Sequence, residues 1–151
     1  MKTEKTLALI KPDAVQRGLV GQIVHRYERK GLKLVALKLL HLSEQMAAEL
    51  YKVHLGKPFY DPLVDFMTTD PIVAICLEGQ NAVEIVRLLN GATNPAESSP
   101  GTIRGDFSNH LAHNVVHASD SVQNAIQEIE ILFSEVEILD YRIIDTAVLY
   151  E

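Results

Sequence analysis

The chain has 151 residues, 47% of them hydrophobic and 23% charged, and a net charge of −6. That length suits one domain with a real core, read as a single unit over residues 1–151, and the composition is that of an ordinary globular protein. The acidic balance argues against a general nucleic-acid binder, which needs a basic face to release counterions, and no Trp with only four Phe leaves few stacking platforms.

No apolar run is long enough to span a bilayer. Met1-Lys2-Thr3-Glu4-Lys5 leads into a strand pattern and not into a signal-peptide apolar segment, so a soluble cytoplasmic protein with no membrane partner is expected. Thr6-Leu7-Ala8-Leu9-Ile10-Lys11 reads as a buried strand that stops at Pro12. Val20, Ile23, Val24 and Tyr27 recur at helical spacing, and Gly31 is placed to end that helix. Leu32 to Leu42 contains a second strand. Ser43 can cap a helix running to about His54, with Met46, Ala47 and Leu50 on one face. Pro58 interrupts, and Pro62 can start a short helix through Phe66 and Met67.

Ile72 to Leu77 is a β-branched run and reads as the third strand; it makes the single cysteine, Cys76, a core thiol and leaves no disulfide framework. Ala82, Ile85, Val86 and Leu89 mark a helix ended by Gly91. Residues 92 to about 113 are rich in Gly, Pro, Ser, Thr and Asn; a loop longer than about 15 residues in a compact domain is often functional. Val115-Val116 suggests a short fourth strand. Asp120 or Ser121 can cap a helix whose apolar positions are Val122, Ala125, Ile126 and Ile129. The tail from Ser134 onward is too weakly patterned to assign. Two βαβ halves of this kind suggest an α+β fold, a ferredoxin-like α/β sandwich with a four-stranded antiparallel sheet.

The densest polar cluster is Asn114-Val115-Val116-His117-Ala118-Ser119-Asp120-Ser121. It sets one histidine just before a helix N-terminus, where unpaired N–H groups and the helix field favour an anion. Glu128, about two turns into that helix, can reach back to the ring, fix its tautomer and offset positive charge on it. The residues alone equally allow a capped helix beside an ordinary, partly buried histidine. In the long loop, Arg104 stands among small residues; with Arg87 and Lys11 it would make a phosphate pocket if the three converge, and each taken singly reads as a solvated charge. No P-loop occurs: the position for its first glycine is Tyr51, and Pro58 follows Gly56-Lys57. The protein-kinase motifs are also missing. Arg104-Gly105-Asp106 spells an adhesion tripeptide, read as coincidence. His110, His113 and His117 would share a face only on a continuous helix, which the β-like Asn114-Val115-Val116 argues against, so no protein-held metal is expected.

At this point the chain resembles a known family. Asn114-Val115-Val116-His117-Ala118-Ser119-Asp120 is similar to the active-site signature of nucleoside diphosphate kinases, Asn-x-x-His-Gly/Ala-Ser-Asp. Thr93-Asn94-Pro95-Ala96 and Pro100-Gly101-Thr102-Ile103-Arg104-Gly105-Asp106 resemble the family's long loop, and Thr6 to Ala14 its first strand; the likeness covers essentially the whole chain. The resemblance implies a ping-pong reaction in which nucleoside triphosphates, mainly ATP, phosphorylate His117, which then passes the group to nucleoside diphosphates. It implies that Glu128 and Ser119 orient His117, that Arg87, Thr93 and Arg104 hold phosphates, and that His54 assists at the α-phosphate. Lys11 and Asn114 would meet the ribose hydroxyls and the end of the triphosphate, and Tyr51 would donate to the transferred group. The base would lie between Phe59 and Leu111, with Leu63 nearby. Magnesium (Mg2+) would arrive on the nucleotide phosphates, with no cage of its own. Leu111, Ala118 and His113 depart from the commonest family residues without removing a group the chemistry needs. Members form hexamers or, in some bacteria, tetramers; the long loop and the tail ending Leu149-Tyr150-Glu151 resemble the hexameric type. Two other classes stay in view. An RNA-binding module shares the fold but lacks its Lys/Arg-Gly-Phe/Tyr motif here, and a catalytically silent scaffold would not need Lys11, Arg87, Arg104 and His117 together.

Overall fold

A computed structural model describes residues 2–150; Met1 and Glu151, the two ends of the segments read above, lie outside the described residues. Four strands form one sheet in the order β2-β3-β1-β4: β1 (Thr3–Ile10), β2 (Lys33–Leu40), β3 (Ile72–Gln80) and β4 (Val116–Ala118). All neighbours are antiparallel. The helices are α1 (Pro12–Gln16), α2 (Val20–Arg29), α3 (Glu44–Leu50), α4 (Tyr60–Thr69), α5 (Ala82–Asn90), α6 (Ile103–Phe107), α7 (Val122–Leu132) and α8 (Thr146–Leu149). This is the expected ferredoxin-like α+β sandwich.

The sheet is covered on both sides, which is why its central strands read as continuous apolar runs. Successive strand residues point to opposite faces. On one face Leu7, Leu9, Ala74 and Cys76 pack with Ala47 and Leu50 of α3, Met67 of α4, and Ala125, Ile129 and Leu132 of α7. On the other, Ala8, Ile10, Val73, Ile75 and Leu77 meet Ile23 and Tyr27 of α2 and Ala82 and Val86 of α5. Cys76 is fully buried, and that burial pushes its thiol up to about 12.

Local chemistry sets most element ends as the sequence suggests. The Ser43 hydroxyl accepts from the Met46 N–H at the start of α3, and Ser121, not Asp120, caps α7 by accepting from the Asn124 N–H. Gly91 ends α5 at φ +86°, a conformation that favours glycine, and a Cβ there would lie 2.5 Å from the Thr102 hydroxyl.

Four details differ from the sequence reading. Pro12 does more than stop β1: it opens α1, where its missing N–H is no loss. The helix after Ser43 stops at Leu50 and a 3-10 turn spans Lys52–His54. The helix expected from Pro62 begins at Tyr60, so the proline sits in its first turn. Val122 and Ile126 of α7 are exposed, and the buried stripe continues through Leu132 instead. The tail contributes a 3-10 turn at Glu135–Glu137, helix α8, and bonds to β2 from Leu139 N–H to the Val35 carbonyl and from the Tyr141 hydroxyl to the Leu34 carbonyl, at the irregularity between Leu34 and Ala36.

Candidate functional site

The site is built where β1 ends beside the start of β4. The register pairs Leu9 with His117 and Ile10 with Val116. Val116 points into the core beneath α2 and α5, so the period of two turns His117 to the opposite face, toward α3 and α7. There its Nε2 lies 2.6 Å from Oε1 of Glu128. Both side chains are largely shielded, at 21% and 14% exposure.

Tyr51, the C-cap of α3, packs edge-on to the His117 ring with centroids 5.9 Å apart. Its hydroxyl is buried with no hydrogen-bond partner among the described residues. Burial, and then the Glu128 charge, push its pKa upward, so Tyr51 keeps its proton. His54 stacks on Tyr51 at 6.5 Å and meets Phe59 edge-on at 5.0 Å. Burial first, then Lys57 and His117, lower the His54 pKa against the pull of Asp120, which favours a neutral ring. Phe59 precedes α4 and is half exposed; Leu111, at the tip of the turn closed by His113 N–H on the His110 carbonyl, is also exposed. Leu63 instead packs against the core.

Lys11 follows β1 directly. Its ammonium donates to Oδ1 of Asn114 at 2.7 Å, and the Asn114 amide donates to the Thr93 carbonyl at 3.0 Å. The two bonds join the strand end, the long loop and the segment before His117. Burial, helped by the Arg104 charge and opposed by Asp13, lowers Lys11 to about 8.

Arg104 is not a free surface cation. Its guanidinium is buried and donates to three backbone carbonyls: Asn114 at 3.1 Å, Gly91 at 2.9 Å and Val116 at 2.6 Å. These leave two of its five N–H groups over. Burial lowers its pKa to about 10, with Tyr27 raising it and Arg87 lowering it further. A short helix that the sequence reading missed, α6, places it, begun by the Thr102 hydroxyl accepting from Gly105 N–H. Arg87 lies in the last turn of α5 and lines a cleft of about 770 Å³ with Gly91, Ala92, Thr102 and Asp120. Ser119 is fully buried; its N–H donates to the Leu7 carbonyl, and its hydroxyl has no partner among the described residues.

The structure thus brings His117, Glu128, Tyr51, His54 and Phe59 into one chain of contacts. Lys11, Asn114, Thr93 and Arg104 form a second chain. Two further features escaped the sequence. Val115 is not part of the fourth strand but holds φ +60°, and Asp13 accepts a bond from its N–H. A Val-Val pair reads as β by propensity, and an aspartate after Lys-Pro reads as an ordinary acid in a first helical turn, so neither carried a signal.

The arrangement has the parts of a phosphoryl-transfer site, a histidine with one ring nitrogen committed and cations near a helix-rich loop. Comparison with known proteins specifies the class. The family model for Nucleoside diphosphate kinase matches residues 4–138. A nucleoside diphosphate kinase from Archaeoglobus fulgidus is 53% identical over 148 residues, 98% of each chain, and one from Staphylothermus marinus is 54% identical over 141 residues, 93% of this chain and 100% of that one. Among solved structures, a halophilic nucleoside diphosphate kinase from Halobacterium salinarum in complex with CDP superposes with TM-score 0.96 at 44% identity, covering 99% of this chain and all of that one. A transition-state mimic of the Borrelia burgdorferi enzyme with bound vanadate and ADP gives 0.92 at 39%, covering 97% and 96%. The chain belongs to the nucleoside diphosphate kinase family and is an enzyme of phosphoryl transfer between nucleotides.

Proposed function

We propose that the γ-phosphoryl group of a nucleoside triphosphate, mainly ATP, passes to Nδ1 of His117 and from there to a nucleoside diphosphate bound in the same place. The observation that carries this reading is the 2.6 Å bond between His117 Nε2 and Glu128. An ionised carboxylate only accepts, so Nε2 must hold the hydrogen. In a neutral imidazole that leaves the lone pair on Nδ1, which makes Nδ1 the nucleophile. As the Nδ1–P bond forms and the bond from phosphorus to the β-bridging oxygen breaks, the ring gains positive charge and Glu128 stabilises it. The diphosphate leaves with the electron pair of the broken bond. A second diphosphate then attacks the phosphorus and the steps reverse, which is a ping-pong cycle.

The remaining residues act by position and charge, as suits this chemistry. Lys11, Arg87 and Arg104 offset phosphate charge, with Thr93 and Asn114 fixing the tail. Tyr51 donates its hydroxyl to the transferred group. Ser119 supports the Glu128–His117 pair, and His54 stands beside the α-phosphate. Phe59 and Leu111 hold the base by stacking and apolar contact, which gives little readout of base identity.

Among the described residues no group of three or more His, Cys, Asp or Glu is placed to hold a metal ion. The magnesium (Mg2+) proposed here would arrive on the substrate's phosphates, whose charge it would offset. No helix among the described residues is long and apolar enough to cross a membrane. Residues 1–151 act as one domain on this reading, in the cytoplasm, as a homo-oligomer of hexameric type or, failing that, a tetramer.

Incubation with γ-labelled ATP and no acceptor tests the mechanism. Label should be retained in alkali, lost in acid and absent from His117→Ala. No label on the parent protein under active conditions contradicts it.

A further inference from the structure

His117 directly follows a strained backbone turn. Val115, a buried β-branched residue, holds φ +60°, and Val116 N–H donates to the Asn114 carbonyl at 2.7 Å, closing a three-residue γ-turn. A β-branched side chain is disfavoured in that conformation, which persists only where its surroundings impose it.

The surroundings can be named bond by bond. The Val115 carbonyl accepts from Lys11 N–H at 2.9 Å. The Asn114 and Val116 carbonyls accept from Arg104. The Val115 N–H donates to Oδ2 of Asp13 at 3.2 Å, across 102 residues of sequence. The first three bonds hold carbonyls, so they fix where the turn lies. The Asp13 bond alone satisfies the one N–H inside it. Asp13 is held in place by the Pro12 start of α1, and its Oδ1 is buried with no partner among the described residues.

Without that acceptor the Val115 N–H has no bond in its present conformation. The turn would gain by opening to extended backbone. In a strand a one-residue slip reverses the face of every side chain after it. Opening at Val115 would therefore turn His117 away from Glu128.

We propose that Asp13 is a positioning residue for the nucleophile: its carboxylate holds the Val115 γ-turn closed and so aims His117 at Glu128 and the site. The proposal rests on His117 as the phosphoryl carrier.

Rapid-quench measurement of His117 phosphorylation at saturating ATP, with ADP affinity measured in parallel, tests it. A buried donor left unpaired predicts that Asp13→Ala slows phosphorylation by about 5- to 150-fold, with ADP affinity changed far less. Asp13→Asn keeps an acceptor oxygen and should recover most of the loss. Val115→Gly accepts the positive φ without help, so in that background Asp13→Ala should cost much less. Phosphorylation of D13A at the parent rate overturns the proposal. So does a D13N as slow as D13A, or an undiminished D13A loss in V115G. If D13A does not fold alone, the V115G/D13A protein must fold, and its failure also overturns the proposal. A parent protein that takes no label would instead refute His117 as the carrier, and so separates the two failures.

Discussion

Removal of the Glu128 carboxylate is the sharpest probe of the nucleophile's surroundings. The bond to His117 is short, 2.6 Å, and sits between side chains only 14% and 21% exposed. A hydrogen bond to a charged group contributes about 1.5–3 kcal/mol, and this one strengthens as the ring becomes cationic. At 1.36 kcal/mol per tenfold, Glu128→Ala should slow phosphohistidine formation by about 10- to 150-fold. Glu128→Gln keeps an acceptor but no charge and should fall between, at roughly tenfold. The assay is a single-turnover quench at saturating ATP, with ADP affinity as the control. Glu128 acts on the ring and not on the nucleotide, so affinity should stay within about twofold. An E128A enzyme within twofold of the parent rate would refute the argument that the carboxylate fixes the tautomer and supports the charge.

The site makes further predictions. Lys11, lowered to about 8 by burial and Arg104, holds its proton only below that pH, and a bound phosphate favours the charged form. ADP affinity should therefore fall from pH 7 to 9, with proton uptake on binding near pH 8, and Lys11→Met should abolish both; calorimetry in buffers of different ionisation enthalpy reads this. For stability the sign is the opposite one: between about 8 and the ordinary lysine value the unfolded chain binds more protons, so this group's contribution to stability rises with pH across that window. Tyr51→Phe should slow transfer by about tenfold or more, yet leave the melting temperature unchanged or raised, since its buried hydroxyl has no partner to lose among the described residues; a large destabilisation would contradict that. Tyr27→Phe removes the buried 2.5 Å bond to Asn90. The cost of about 1–3 kcal/mol should lower the melting temperature by about 2–12 °C, read by calorimetry.

The strands and the amphipathic helices were legible because two-sided burial leaves its period in the sequence. Leu7-Ala8-Leu9-Ile10 gives alternate residues to the two cores. What was hidden depends on contacts remote in sequence. α6 is five residues long and contains a glycine, too short to show a period; it exists because Thr102 caps it and Gly105 has room only for hydrogen, a Cβ there lying 2.0 Å from the Ser99 carbonyl oxygen. Val115 departs from its strand propensity because Asp13 and Arg104 brace it from other elements. The same holds in the site. The sequence brought out Arg104 as a cation near phosphate, and its three bonds to carbonyls give it a structural task that no spacing could reveal. Glu128 was legible because a helical period relates it to the start of α7, just beyond His117.

The most direct test of the central claim is to identify the phosphorylated atom. Protein carrying nitrogen-15 in its histidine rings, phosphorylated with ATP and kept at alkaline pH, is to be examined by phosphorus and nitrogen NMR, then chased with GDP. The bond from His117 Nε2 to Glu128 predicts a single phosphohistidine, on Nδ1 of His117, that disappears as GTP forms. Phosphate on Nε2, on another residue, or bound but not transferred to GDP would contradict the account.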